Sequence, residues 1–98
     1  MAVGGYATAT HGTVSVGTAT GTAVAANASR KYLLLVNDSD AVVYCKYGTA
    51  AVMNEGIRLS ASGGNYETSY ELGSLNTGIV SAISSADGKK LLYLEGTG

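Results

Sequence analysis

Two side chains in this sequence, His11 and Cys45, have the types needed for a general base and a nucleophile. A thiol is activated when a base accepts its proton within hydrogen-bond distance and a third group orients that base. His11 has no clustered Cys, His or carboxylate around it, so it predicts neither an oriented base nor a metal site. Cys45 falls in a β-branched and aromatic run, where a free Cys is usually a small buried hydrophobe. We therefore expect no catalytic residue, no enzyme activity, no metal and no cofactor.

A carboxylate pair and a glycine pair are the next candidates for chemistry. Glu67 and Glu71 are four residues apart, but a glycosidase needs two carboxylates that face each other across a sugar, which spacing alone does not provide. We interpret this stretch as a solvated strand or loop. Gly63 and Gly64 lack the Lys-Ser/Thr and the strand-to-helix setting of a phosphate loop, so they predict a turn.

Tyrosine is the dominant aromatic residue, with seven copies and no Phe or Trp. Tyr suits a core, a protein interface or a sugar platform, because it joins a large apolar body to a polar tip. The absence of Trp counts against a sugar platform. The tyrosines are Tyr6, Tyr32, Tyr44, Tyr47, Tyr66, Tyr70 and Tyr93.

Charge and length exclude several classes of protein. The formal net charge is −1, and the six basic residues are dispersed along 98 residues, which predicts no nucleic-acid partner. No apolar stretch has the length of a membrane span, and the N-terminus does not resemble a signal peptide, so we expect synthesis in the cytoplasm and no membrane partner. A single Cys excludes an internal disulfide.

The N-terminal part differs in composition from the rest of the chain. The first 29 residues contain no Asp, Glu, Lys or Arg, whereas disordered solvated tails are usually charged or rich in Pro. We therefore interpret residues 1–28 as an extended arm that orders as a strand on its own domain or on a neighbour, by adding to an exposed sheet edge. The alternatives are a flexible leader rich in Gly and Thr, or the first strands of the domain. Residues 29–98 form the compact β domain in this prediction.

Short runs separated by turn residues define the rest of the chain. Residues 32–36 and 41–47 predict an antiparallel hairpin, and the first of these runs is apolar on both faces, which indicates a position between two layers. Residues 79–84 and 90–95, joined through Asp87-Gly88, predict a second hairpin. Helical periodicity is absent. The predicted fold class is all-β, a small antiparallel β-sandwich or barrel with an extended N-terminal arm.

The order of these features resembles a group of small virion proteins of tailed bacteriophages. The resemblance covers residues 29–96 and consists of turns and strand edges. Its parts are an Arg-Lys-Tyr strand ending in Asn, a Ser-Asp turn, a Val-Tyr strand, a Gly-Ile-x-Leu strand leading to a Gly-Gly turn, a Thr-Gly strand and a closing Lys-Leu-Leu hairpin ending in Glu-Gly. These correspond to residues 30–37, 39–40, 43–44, 56–59, 77–80 and 90–96.

This resemblance implies a decoration or cement protein that binds the outer capsid surface and stabilises the head by bridging subunits of the major capsid protein. It further implies a homotrimer, a virion localisation and no function as an enzyme. The alternative is a tail- or fibre-associated adhesion module that binds a host receptor or glycan, through Tyr66, Tyr70 and the loop near Gly63. The candidate interface residues are Val14, Val16, Val24, Arg30, Lys31, Arg58, Tyr66 and Tyr70.

Overall fold

Eight strands make up the regular secondary structure of the residues that the structure describes. The computed structural model describes residues 8–69 and 76–98. Its strands are β1 (Thr8–Val16), β2 (Gly21–Val24), β3 (Arg30–Asn37), β4 (Val43–Tyr47), β5 (Ile57–Leu59), β6 (Asn65–Ser69), β7 (Val80–Ser84) and β8 (Lys89–Thr97). The described residues contain no helix, and hence none with the length and apolarity to cross a membrane. Tyr6, Tyr70 and Glu71 lie outside the described residues.

The strands form two antiparallel sheets that pack face to face. The first sheet has the order β1-β8-β3-β6, and the second has the order β2-β7-β4-β5. Every pair of neighbouring strands is antiparallel. The predicted all-β antiparallel sandwich is therefore confirmed.

The core lies between the two sheets and is built from alternate residues of each strand. Leu33, Leu35 and Leu91 enter it from the first sheet, and Val43 and Cys45 enter it from the second, each with no exposed surface. This burial follows from the period of two along a strand, which directs every second side chain to the same face. Three tyrosines, Tyr47, Tyr66 and Tyr93, pack at the edge of this core and supply the aromatic volume that Phe would otherwise give.

The hairpin predicted for residues 32–36 and 41–47 is wrong. β3 pairs with β6 and β8, whereas β4 pairs with β5 and β7, so the connection crosses from one sheet to the other. Asn37 holds this crossing, since its buried side-chain amide donates to the carbonyl oxygens of Ala41 at 2.7 Å and Leu59 at 3.0 Å. Turn residues between two strand-like runs predict a reversal of the chain but do not distinguish a hairpin within one sheet from an arch between two sheets.

The second predicted hairpin is wrong for the same reason. β7 lies in the second sheet and β8 in the first, so residues 85–88 also form an arch. Gly88 has a positive φ of 73°, as the Asp-Gly turn requires. Asp87 accepts a hydrogen bond of 2.8 Å from the backbone N–H of Thr18, which ties this arch to the connection between β1 and β2.

The charge-free N-terminal part contributes a strand to each sheet. β1 pairs with β8 at nine consecutive positions, from Thr8 opposite Thr97 to Val16 opposite Lys89. β2 pairs with β7 around a bulge between Thr22 and Val24. The boundary predicted at residue 29 stays a prediction.

Candidate interaction surface

Four aliphatic side chains lie together on the outer side of the first sheet. Leu34 stands directly opposite Leu94, and Val36 stands directly opposite Leu92, across the pairing of β3 with β8. Their neighbours along each strand, including Leu33, Leu35 and Leu91, point into the core, so these four side chains point away from it. We call this group, Leu34, Val36, Leu92 and Leu94, the outer face. Each of its members is partly buried.

The two flanking strands extend the outer face into two rows that cross the whole sheet. In the first row, His11 of β1 and Glu67 of β6 stand on either side of the pair formed by Leu34 and Leu94. In the second row, Thr13 and Asn65 flank the other aliphatic pair. A shallow groove of about 210 Å³ follows the aliphatic centre, with His11 and Tyr93 also lining it.

The position of the outer face departs from one prediction. The run at residues 32–36, apolar on both faces, indicates a strand between two layers. β3 is central within its own sheet, but a second layer covers it on the core side only, among the residues that the structure describes. The apolar residues at 34 and 36 therefore belong to this outer face, although the sequence pattern predicted that a second layer would cover them.

The corresponding face of the second sheet is more polar and positively charged. Tyr44 and Ile83 stand opposite each other there, and Arg58 stands opposite Tyr44 on the other side. Lys46 is exposed in the next row, opposite Ser81. The two outward sides of the sandwich therefore differ in character: one is aliphatic at its centre, and the other carries two cations.

Three of the predicted interface residues contact the protein's own interior. Val16 and Val24 belong to the core, with 3% and 4% of their surface exposed, because they lie at the inward-facing positions of β1 and β2. Arg30 is 2% exposed. Its guanidinium donates to the Glu95 carboxylate at 2.7 Å. Side chains that the fold buries in this way are not accessible to a partner at the surface.

The remaining predicted interface residues are spread over the domain. Val14 is partly buried on β1, and Lys31 is partly buried at the start of β3. Arg58 is exposed on the outward side of the second sheet, where it donates to the Ser60 hydroxyl at 3.0 Å. Tyr66 packs edge to face on Tyr47 with ring centroids 6.4 Å apart. The structure does not bring these residues together into one patch, and their assignment to an interface stays a prediction.

The candidates for chemistry are also separated. His11 is exposed on the outward side of the first sheet, whereas Cys45 is buried in the core on the opposite side of that sheet. Burial raises the pKa of the Cys45 thiol from 9.0 to about 12, which disfavours the reactive thiolate. Within residues 8–69 and 76–98, no group of three or more His, Cys, Asp or Glu side chains is placed to hold a metal ion.

Two further candidates have structural roles in the described fold. Glu67 accepts a hydrogen bond from the Tyr32 hydroxyl on the outward side of the first sheet. Gly63 and Gly64 form the predicted turn, where the N–H of Gly63 donates to the carbonyl of Asn37 at 2.8 Å. The Gly64 N–H donates to the carbonyl of Ser60 at 3.0 Å.

Comparison with known proteins gives little further information. No family model matches the chain, and no curated protein matches its sequence. Among solved structures, the chain is similar to a Bacillus endospore appendage from a family of disulfide-linked pili, with 16% sequence identity and a TM-score of 0.46. That alignment covers 99% of this chain and 95% of the appendage chain. A likeness of this size assigns no function and no partner to the protein.

Proposed function

We propose that this protein is a non-catalytic structural module of a virus particle, namely a decoration or cement protein of a phage capsid. It binds the outer surface of the shell and bridges subunits of the major capsid protein. The observation that carries the proposal is the outer face, an aliphatic cluster at the centre of an exposed sheet surface. The capsid as partner comes from the family resemblance of residues 29–96.

The outer face has the composition of an interface centre. Such centres are depleted in charged residues and surrounded by a polar rim. Here four aliphatic side chains occupy the centre, and His11, Thr13, Asn65 and Glu67 occupy the rim. Covering the aliphatic surface on binding contributes roughly 25 cal/mol for each Å² of apolar area removed from water.

The rim is nearly neutral, so a strongly acidic partner surface is not required. Glu67 is engaged by the Tyr32 hydroxyl, and Asn65 donates to the carbonyl of Gly63 at 3.2 Å. Both polar side chains are thus held in place before a partner arrives. Preorganised contacts lose less conformational entropy on binding than mobile ones.

The proposed mechanism is linkage between binding and assembly. A ligand that binds an assembled shell, and not its separated subunits, stabilises the shell by an amount that grows with the logarithm of the free ligand concentration relative to Kd. This mechanism needs no catalytic group. It predicts that particles carrying the protein release their contents at a higher temperature than particles stripped of it.

Immunogold labelling of purified particles tests the proposal. Antibody to this chain is applied to particles of the virus that encodes it, and the position of the gold is scored on negatively stained images. We expect label over the head. Label on the tail would instead favour the tail- or fibre-associated adhesion module, and unlabelled particles would overturn both assignments.

A further inference from the structure

The outward edge of β1 is an unusually open strand edge. β1 is the terminal strand of its sheet, and no strand among the described residues pairs with its outward side. It has nine residues, and its pairing with β8 runs without a register shift, so the edge is regular along its length. The edge contains no Pro and no Asp, Glu, Lys or Arg. Proteins usually protect exposed edges with such residues, with bulges or with short strands.

The three other sheet edges in the described fold each carry one of these protections. β2 has four residues and is interrupted by a bulge between Thr22 and Val24. β5 has three residues and carries the exposed Arg58. β6 has five residues and carries the exposed Glu67. β1 is therefore the edge best suited to strand addition.

We propose that β1 pairs with β1 of a second copy of this chain, in antiparallel orientation around a two-fold axis. The two four-stranded sheets then join into one continuous eight-stranded sheet. A second copy fits this edge because an antiparallel pair of identical strands is self-complementary, so that each contact occurs twice. The absence of charged residues in β1 also removes the like-charge repulsion that would oppose self-pairing.

The burial pattern of β1 locates the two-fold axis. Thr8 to His11 are exposed, whereas Val16 at the other end is buried in the core. The pairing therefore centres on Thr10 or His11, where the overlap that starts at Thr8 ends at or before Val14 and does not reach the buried end. In this range, His11 of each copy lies opposite or diagonal to His11 of the other.

Joining the sheets would also combine their outer faces. A two-fold axis between antiparallel strands of one sheet is perpendicular to that sheet, so equivalent side chains of both copies point to the same side. The aliphatic clusters of the two copies would lie side by side, with the two β1 strands between them. Self-pairing requires no particle and therefore holds or fails independently of the proposed function. It gives a dimer, whereas the family resemblance implies a homotrimer.

Disulfide trapping with two single substitutions tests this arrangement. His11→Cys places thiols close to the axis. Ser15→Cys is the matched control, exposed on the same side of the same strand but separated from its equivalent by more than about 20 Å. The native Cys45 is buried, so the wild-type chain provides the background. Under oxidising conditions, we expect a covalent dimer from His11→Cys and none above background from Ser15→Cys. Equal crosslinking of both variants would overturn the proposed pairing.

Mass measurement by light scattering on the full chain provides an independent test. The wild type should approach the mass of two copies at millimolar concentration. His11→Lys brings two positive charges together near the axis and should weaken the dimer by at least about tenfold. Thr22→Lys, on the exposed edge strand β2, should leave the dimer unchanged. A wild-type mass of one or three copies would overturn the proposal.

Discussion

Arg30 and Glu95 form an ion pair of 2.7 Å in which the Arg30 side chain is completely buried and that of Glu95 is 12% exposed. Three further N–H groups of Arg30 donate to the carbonyls of Ala25, Asn76 and Gly78 at 2.8 to 3.0 Å. Arg30 and Glu95 belong to the first sheet, whereas these carbonyls lie on segments that enter or leave strands of the second. The guanidinium therefore fastens the two sheets together at one end of the sandwich.

Removal of the carboxylate from this pair should destabilise the domain strongly. Glu95→Ala leaves a buried cation without its counter-charge, which costs about 3 kcal/mol of unfolding free energy. Chemical denaturation measures the change. Asp40→Ala is the matched control, because it removes the exposed ion pair of Asp40 with Lys89 and should leave stability unchanged within error. Equal stability of Glu95→Ala and wild type would contradict the fastening role.

Asn37 should be necessary for the arch between β3 and β4. Asn37→Ala removes the donors to the partly buried carbonyl of Ala41 and the buried carbonyl of Leu59, and we expect a loss of about 2 kcal/mol in unfolding free energy. Asn65→Ala, which removes one exposed hydrogen bond, should cost much less. Denaturation of both variants under the same conditions makes the comparison. A larger loss for Asn65→Ala would argue against this account of the arch.

Gly64 should tolerate no side chain, because its surroundings are backbone. A Cβ at this position would lie 2.3 Å from the backbone nitrogen and 2.4 Å from the carbonyl oxygen of Ser60. We expect Gly64→Ala to lower the unfolding free energy by about 2 kcal/mol. Gly21→Ala meets no atom within 4 Å and should be neutral or slightly stabilising. Thermal denaturation ranks the two variants, and the reverse order would contradict the described turn.

Cys45 should make the stability of the domain sensitive to alkaline pH. The thiol pKa is about 12 in the folded protein, compared with 9.0 ordinarily, so the unfolded chain releases this proton first as pH rises. Stability from this group is complete below pH 9 and is lost between pH 9 and 12. At pH 10, one pH unit above the ordinary thiol pKa, the unfolding free energy has fallen by about 1.4 kcal/mol.

Cys45→Ala isolates this contribution. The variant is less stable than wild type at pH 7 because it leaves a small cavity. Its further loss of unfolding free energy between pH 8 and pH 10 should be smaller than that of wild type by about 1.4 kcal/mol. Parallel pH profiles for the two proteins would show that burial of the thiol does not couple to stability.

The sequence predicted the class of fold because alternation is a local property. The runs that became β3, β4, β7 and β8 were identified, and so was the burial of Cys45. Partner strands could not be predicted in the same way. An arch and a hairpin both reverse the chain, and the choice between them depends on contacts such as that of Asp87 with Thr18, which is 69 residues away.

In the sequence, the candidate surface corresponds to an apolar run, and the pattern of that run does not show which of its side chains face the core. The run at residues 32–36 predicted burial of both faces of its strand. The face that carries Leu34 and Val36 is instead the outer face. Arg30 was predicted to lie at an interface, because a charged residue at the start of a strand is usually exposed, but the structure buries it. Its partner Glu95 is 65 residues away, and no local pattern connects the two.

Co-sedimentation of outer-face variants with particles tests the central claim most directly. Leu34→Gln and Leu92→Gln replace aliphatic side chains of the outer face, and Ile83→Gln makes the same kind of change on the outward side of the second sheet. Denaturation of each variant first confirms that it is folded. Particles stripped of the protein are then titrated with each variant. We predict that both Leu variants bind at least about tenfold more weakly than wild type, while Ile83→Gln binds like wild type. Unchanged binding of the Leu variants, or an equal loss for Ile83→Gln, would contradict the outer face as the binding surface.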